Sequence, residues 1–131
     1  MHKRVVVFAV GAVLTAAIAA ADVDLSDFDD DVMRAMDDSI KDLEPVIAAG
    51  NAAGAGVDAQ AILDGLKWTE EYFTKKGNTE DAVKFARASQ DLTVAVQKAL
   101  AANDFEAAAR SARALSKSCR TCHDLYKPLT K

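Results

Sequence analysis

The sequence predicts an all-α protein, an antiparallel four-helix bundle formed by a single domain of roughly 110 residues. In four segments, apolar residues recur every three or four positions, which is the period of an amphipathic helix. Short stretches that contain glycine, asparagine or helix-capping residues separate these segments, and nothing in the sequence reads as a strand. Short connections favour an up-down-up-down arrangement of the four helices.

The first predicted helix, helix A, begins near the segment Ser26–Asp29, which resembles a capping box with aspartate in place of glutamate. Pro45 should bend or weaken its last turns, because proline cannot donate a backbone hydrogen bond. Gly50, Gly54 and Gly56 predict the loop that follows. The apolar positions of helix A are Phe28, Val32, Met36, Ile40, Leu43 and Ile47, with Met33 at the edge of the stripe.

Helices B and C follow with clear end signals. Helix B is predicted to start at an Asp58 cap and to stop at Lys75-Lys76-Gly77, where cations on the last turn precede a glycine. Asn78 or Thr79 caps helix C. The apolar positions are Ile62, Leu63, Leu66 and Phe73 in helix B, and Val83, Phe85, Leu92, Val96 and Leu100 in helix C.

The last helix, helix D, carries the chain's most informative motif. Asn103 and Glu106 form a second capping-box pattern at its start. The helix is expected to run toward Tyr126, with Pro128 at its end. Its apolar positions before the motif are Phe105, Ala108, Ala112 and Leu115.

The first 21 residues are typical of a secretory signal peptide. Lys3 and Arg4 form a basic start, Val5–Ile18 is apolar, and Ala17–Ala21 offers small residues for cleavage, best placed after Ala21. An uncleaved membrane anchor is the alternative, although the apolar stretch is short for a full span. We therefore expect residues 1–21 to be a signal peptide and residues 22–131 to form the mature domain.

Cleavage makes the protein more acidic. Of the 16 basic residues in the full chain, Lys3 and Arg4 are lost with the signal peptide, which leaves 14 against 20 acidic residues, a net charge of −6. This charge argues against binding to nucleic acid or to an anionic membrane surface. It is compatible with a redox partner that has a basic docking surface, although simple solubility explains the charge equally well.

One Cys-X-X-Cys-His motif, Cys119 to His123, is the attachment signature of c-type haem. The thiols of Cys119 and Cys122 add across the two vinyl groups of the porphyrin, and the imidazole of His123 ligates the iron. On a helix these three residues lie near one face. The only other histidine, His2, is in the predicted signal peptide, so one haem per chain is expected. Covalent attachment implies export to the bacterial periplasm, an oxidising compartment.

Other interpretations of the motif are weaker. A structural zinc site normally needs four ligands, and this chain offers Cys119, Cys122 and His123 plus an unspecified carboxylate. A redox dithiol needs a βαβ setting, which the sequence lacks. A plain disulfide in a helical adaptor without haem is a further alternative. No catalytic constellation for hydrolysis or group transfer is present, so we do not expect an enzyme.

The C-terminal residues resemble those of the class II c-type cytochromes, the cytochrome c-prime family and its low-spin relatives. Here the haem motif lies near the C-terminus, with only eight residues after His123. A basic residue, Arg120, stands between the cysteines, and His123 is followed by Tyr126 and Lys127 in the family's pattern of histidine, two residues, an aromatic residue and a base. The resemblance implies a four-helix bundle, and family members often form homodimers through helices A and B.

The family resemblance leaves the second axial position of the iron open. In low-spin relatives a methionine of helix A ligates the iron and the protein carries electrons, whereas five-coordinate relatives bind NO or CO. Aligning Pro45-Val46-Ile47 with the family's helix A puts Met33 at the distal position and Met36 one turn further, in the core. Many gas-binding relatives have an arginine where this chain has Asp29. We therefore expect an electron carrier ligated by Met33, with a five-coordinate gas-binding protein as the alternative.

Overall fold

The computed structural model describes residues 23–126, and this part of the chain folds into four helices with no strand. The helices are α1 (Asp30–Ala48), α2 (Ala52–Lys76), α3 (Glu80–Ala101) and α4 (Phe105–Tyr126). Each connection is three residues long, so consecutive helices run antiparallel. The predicted four-helix bundle is confirmed. The predicted signal peptide, Lys127 and Pro128 lie outside the described residues.

The four helices form a ring in which each packs against its two neighbours. Helix α2 contacts α1 and α3, and α4 contacts α3 and α1, while the diagonal pairs of these described helices do not approach each other closely. The seam between α1 and α4 is the most loosely packed of the four. Within residues 23–126, no helix combines the length and apolarity needed to cross a membrane.

Helix α1 begins later than predicted. Its N-cap is Asp29, whose carboxylate accepts a hydrogen bond from the backbone N–H of Asp31 at 3.0 Å. The N–H of Ser26 instead donates to Asp24, so the predicted capping box at Ser26 is wrong. Three consecutive aspartates around the cap complement the positive end of the helix dipole, which favours the later start. Pro45 lies within the last turn, and α1 continues to Ala48.

Helix α2 begins six residues before the predicted Asp58 cap, so the long glycine loop is also wrong. Asn51 is the N-cap and accepts a hydrogen bond from the N–H of Gly54 at 2.9 Å. Of the three glycines that predicted a loop, Gly50, Gly54 and Gly56, only Gly50 adopts a left-handed conformation, with a φ of 70°. It lies in the short connection between α1 and α2, where the chain turns. Inside the helix, Ala55 is completely buried, and this packing outweighs the low helix propensity of the adjacent glycines.

Thr79 is the N-cap residue of α3, as predicted, but its hydroxyl donates to the carbonyl of Phe73 at 2.7 Å instead of accepting from the first turn of the helix. The start of α4 differs from the prediction. Asp104, not Asn103, caps α4 by accepting from the N–H of Ala107 at 3.0 Å. Asn103 adopts a left-handed conformation with a φ of 52°, so the predicted capping box is wrong.

The core has two parts. The central core cluster fills the middle of the bundle, and its small alanines on α2 and α4 allow the helices to approach there. Its buried residues are Met36, Leu43, Ile47, Ala55, Ala59, Ile62, Leu66, Val96, Leu100, Ala108, Ala112 and Leu115. The end cluster, formed by Phe28, Phe73, Ala82 and Tyr126, closes the end of the bundle at which α4 finishes. Met33 packs against both clusters, which places it at the boundary between them.

Candidate haem-binding cleft

A cleft lies at the loosely packed seam between α1 and α4, with α2 and α3 forming its back wall. The cavity that it encloses is about 70 Å³, and the empty space including its open mouth is about 770 Å³. The lining is mostly apolar, and all four helices and the segment before α1 contribute. The lining residues are Leu25, Phe28, Met33, Met36, Asp37, Ile40, Ile62, Leu66, Thr69, Phe73, Phe85, Ala86, Ser89, Cys119, Cys122, His123 and Tyr126.

The residues of the predicted haem motif line this cleft from the last turns of α4. Cys119, Cys122 and His123 are all half-buried, and both cysteines are free thiols. Cys119 packs against the central core cluster, whereas Cys122 packs against the end cluster. The two thiols therefore lie at different positions along the cleft. A single extended group with two attachment points requires such a separation.

The surroundings of the thiols favour their neutral form. Burial raises the pKa of Cys122 to about 11, and the neighbouring Cys119 and the carboxylate of Asp81 add to the effect. Burial also raises the pKa of Cys119, with a further contribution from Asp37. Both thiols therefore lie in an apolar environment, which suits thioether formation with a hydrophobic group better than stabilisation of a free thiolate.

The two methionines of α1 line the cleft opposite α4, but their packing differs. Met36 is only 6% exposed and belongs to the central core cluster. A Cβ placed on Gly65 would lie 2.4 Å from Met36 Cγ and 2.5 Å from its sulfur, so Met36 fills the notch that this glycine leaves. Met33 is half-buried and lies one turn nearer the end cluster. Of the two thioethers, that of Met33 is the less confined by α2.

The structure gives Asp29 a local role. Its side chain caps α1, it is exposed, and it does not line the cleft. Arg120 is exposed on α4 and also lies outside the lining, and Lys127 is beyond the described residues. The inference from Asp29 that this chain carries electrons instead of binding gas therefore rests on the family resemblance alone.

The aromatic rings of Phe28, Phe73 and Tyr126 contribute to the cleft wall. Phe28 is 7% exposed, and its ring lies edge-on to Trp68 and to Tyr72, with ring centres 4.9 Å apart in each case. Phe73 lines the cleft directly, and its ring contacts that of Tyr126. Helical periodicity predicted that Phe28 would be buried. No feature of the sequence predicted that the segment before α1 would fold back onto α2.

Asp27 fastens this segment to α2. Its carboxylate accepts hydrogen bonds from the hydroxyl of Tyr72 at 2.5 Å and from the ammonium of Lys76 at 2.8 Å. The hydrogen bonds from Lys76 and Tyr72 lower the pKa of Asp27. A carboxylate whose pKa is lowered in the folded state stabilises the fold at pH values above its unfolded pKa, and this contribution is lost as the pH falls through the folded pKa.

We therefore expect the segment before α1 to loosen when the pH falls below about 4, the ordinary range of an aspartate pKa. The single tryptophan, Trp68, reports this change because Phe28 packs against it. The NMR shift of its indole N–H should move with pH in the wild type and become insensitive to this titration in Asp27→Asn. Asp24→Asn is the matched control, and an unchanged titration in Asp27→Asn would contradict the assignment.

The cleft residues fit a covalently attached haem. Within the described range, no three His, Cys, Asp or Glu side chains converge as a metal-binding group. An extended apolar cleft with two separated thiols, an imidazole and a thioether matches the donor set that c-type haem uses.

Comparison with known proteins adds no identification, because no family model, curated protein or solved structure matches this chain.

Proposed function

We propose that the mature chain is a periplasmic electron carrier with one covalently attached haem. Cys119 and Cys122 form the thioether bonds, His123 is the proximal ligand, and Met33 is the distal ligand. One observation carries the proposal: the two thiols, the imidazole and the Met33 thioether line a single cleft, contributed from two facing helices. The sequences of α1 and α4, taken separately, do not require these four groups to line the same cleft.

When bound, the haem supplies a one-electron couple between ferric and ferrous iron. His123 and Met33 would ligate the iron, and the apolar lining of the cleft would exclude water from it. Met33 is presented to the cleft from α1 and His123 from the last described turn of α4. A thioether ligand raises the reduction potential, because sulfur favours ferrous iron. The apolar lining acts in the same direction by disfavouring the extra positive charge of the ferric state.

The charge distribution supports a basic redox partner. Residues 23–48, which include α1, contain nine acidic side chains and two basic ones. Both bases lie close to acids of the same helix, in the pairs Arg34–Asp31 and Lys41–Asp37. A partner with a basic docking surface would therefore be attracted by the negative electrostatic potential beside the cleft mouth, where Asp37 lies.

Optical and redox spectroscopy of the haem-loaded protein test this function. We expect ferric protein at neutral pH to be low-spin, with the weak far-red absorption of a sulfur–iron bond, and to cycle reversibly between its two oxidation states. A high-spin, five-coordinate ferric spectrum would contradict the proposal and favour the alternative, a protein that binds NO or CO with Met33 as a steric lid. Binding of NO alone does not decide, because it can displace a weak thioether.

Export is a separate prediction, on residues outside the described range. The basic start at Lys3 and Arg4, the apolar core and the alanines before position 22 predict cleavage after Ala21. Sequencing the N-terminus of periplasmic material should give a chain beginning at Asp22. A protein that still begins at Met1 and fractionates with membranes would replace the signal peptide with an anchor.

A further inference from the structure

Tyr126 links the haem motif to the neighbouring helix α3. It lies three residues after His123, is 8% exposed, and lines the cleft with its ring. The ring packs edge-on against Phe73 of α2, with centres 5.2 Å apart and an interplanar angle of 61°. Its hydroxyl donates a hydrogen bond to the carboxylate of Asp81 in the first turn of α3.

This link acts on the turn of α4 that carries His123. Pro128 in the sequence predicts a helix end close to this turn, and turns near a helix end open more readily than turns in its middle. His123 falls within the final turn of the described α4. A ligand in that position moves whenever the turn opens, unless a side chain beyond it is anchored to the rest of the bundle.

Asp81, which accepts the hydrogen bond on α3, is itself held in place by its neighbours. The same carboxylate oxygen of Asp81 also accepts from the N–H of Ala82 at 2.9 Å, and Ala82 is 1% exposed in the end cluster. Just before α3, the buried hydroxyl of Thr79 donates to the carbonyl of Phe73 at 2.7 Å. The Tyr126 hydroxyl is therefore tied to a junction that is itself fixed to α2.

We propose that the Tyr126–Asp81 hydrogen bond positions His123 for iron ligation. The inference rests on the proposed function, since it concerns the same haem site. Tyr126 does not ligate the iron and transfers no electron. It is a positioning residue, whose hydroxyl holds the last turn of α4 closed so that the imidazole stays in place.

The test uses the haem-loaded full chain and the variant Tyr126→Phe, which keeps the ring and removes only the hydroxyl. The matched control is Tyr72→Phe, which also removes a hydroxyl bonded to an aspartate, Asp27, but on α2 and away from α4. In Tyr126→Phe we expect a high-spin ferric component and backbone amides of the last α4 turn that exchange about tenfold faster, in keeping with one lost charge-assisted hydrogen bond. The control should match the wild type in both measurements.

Substitutions at the acceptor separate positioning from packing. Asp81→Ala should reproduce the effect of Tyr126→Phe, whereas Asp81→Asn retains an acceptor oxygen and should restore the low-spin spectrum. A lower midpoint of unfolding in Tyr126→Phe without a spectral change would overturn the proposal, because the hydrogen bond would then serve stability alone. Wild-type protein that lacks haem would instead refute the proposed function, and the exchange rates would still report whether the link holds the turn.

Discussion

Replacing Met33 by alanine is expected to convert the low-spin ferric protein into a high-spin form. The far-red band should disappear, reduced protein should bind CO readily, and the reduction potential should fall, because the thioether that favours ferrous iron is gone. These changes follow from the position of Met33 on the cleft wall opposite His123. Because Met33 is only half-buried, the loss of packing should be modest, and the bundle should stay folded.

Met36→Ala is the matched control for this spectral test, since it removes the other thioether of the same cleft wall. It should leave the low-spin spectrum and the far-red band in place. If Met33→Ala keeps the band and Met36→Ala loses it, Met36 is the ligand and the distal assignment is wrong. If neither variant changes the spectrum, no methionine of α1 ligates the iron.

The same substitution, Met36→Ala, should have the largest effect on stability. Met36 is 6% exposed, and its side chain fills the notch beside Gly65. Truncation to alanine leaves a cavity among residues of the central core cluster and should reduce the free energy of unfolding by about 2–5 kcal/mol. Denaturant titration of the haem-loaded protein, followed by far-ultraviolet circular dichroism, measures the change.

Met36→Leu tests whether this cost comes from lost volume. Leucine nearly conserves the volume of methionine, so the expected loss is below about 1.5 kcal/mol. A loss as large as that of Met36→Ala would indicate that the sulfur itself contributes, as it would if Met36 ligated the iron. A negligible loss in Met36→Ala would contradict the tight packing against Gly65.

The sequence predicted the helices well and their first residues poorly. Apolar periodicity identified all four helices, because each buries one face against its neighbours. The predicted starts of α1 and α4 were wrong because several capping residues stand close together there: Asp29 and Asp104 cap in place of Ser26 and Asn103. In α2, the glycines suggested a loop, but the Asn51 cap and buried alanines extend the helix past them.

The candidate cleft was predictable only in part. The motif and the register of α1 indicated which residues could share a site, because both depend on local spacing. Contacts between distant segments had no such signal. Ser89 and Ser118, for example, share a hydrogen bond of 2.7 Å between α3 and α4, just before Cys119. The meeting of Tyr126 with Asp81 depends likewise on how the helices dock, which no local pattern encodes.

The central claim is that haem is bound covalently through Cys119 and Cys122, and denaturing mass spectrometry tests it most directly. The full chain should be expressed with a competent haem-maturation system and extracted with acidified acetone, which removes haem that is not covalently attached. We predict a single species heavier than the mature chain by one haem, and reduced attachment in Cys122→Ser. A mass equal to that of the bare chain would contradict the account.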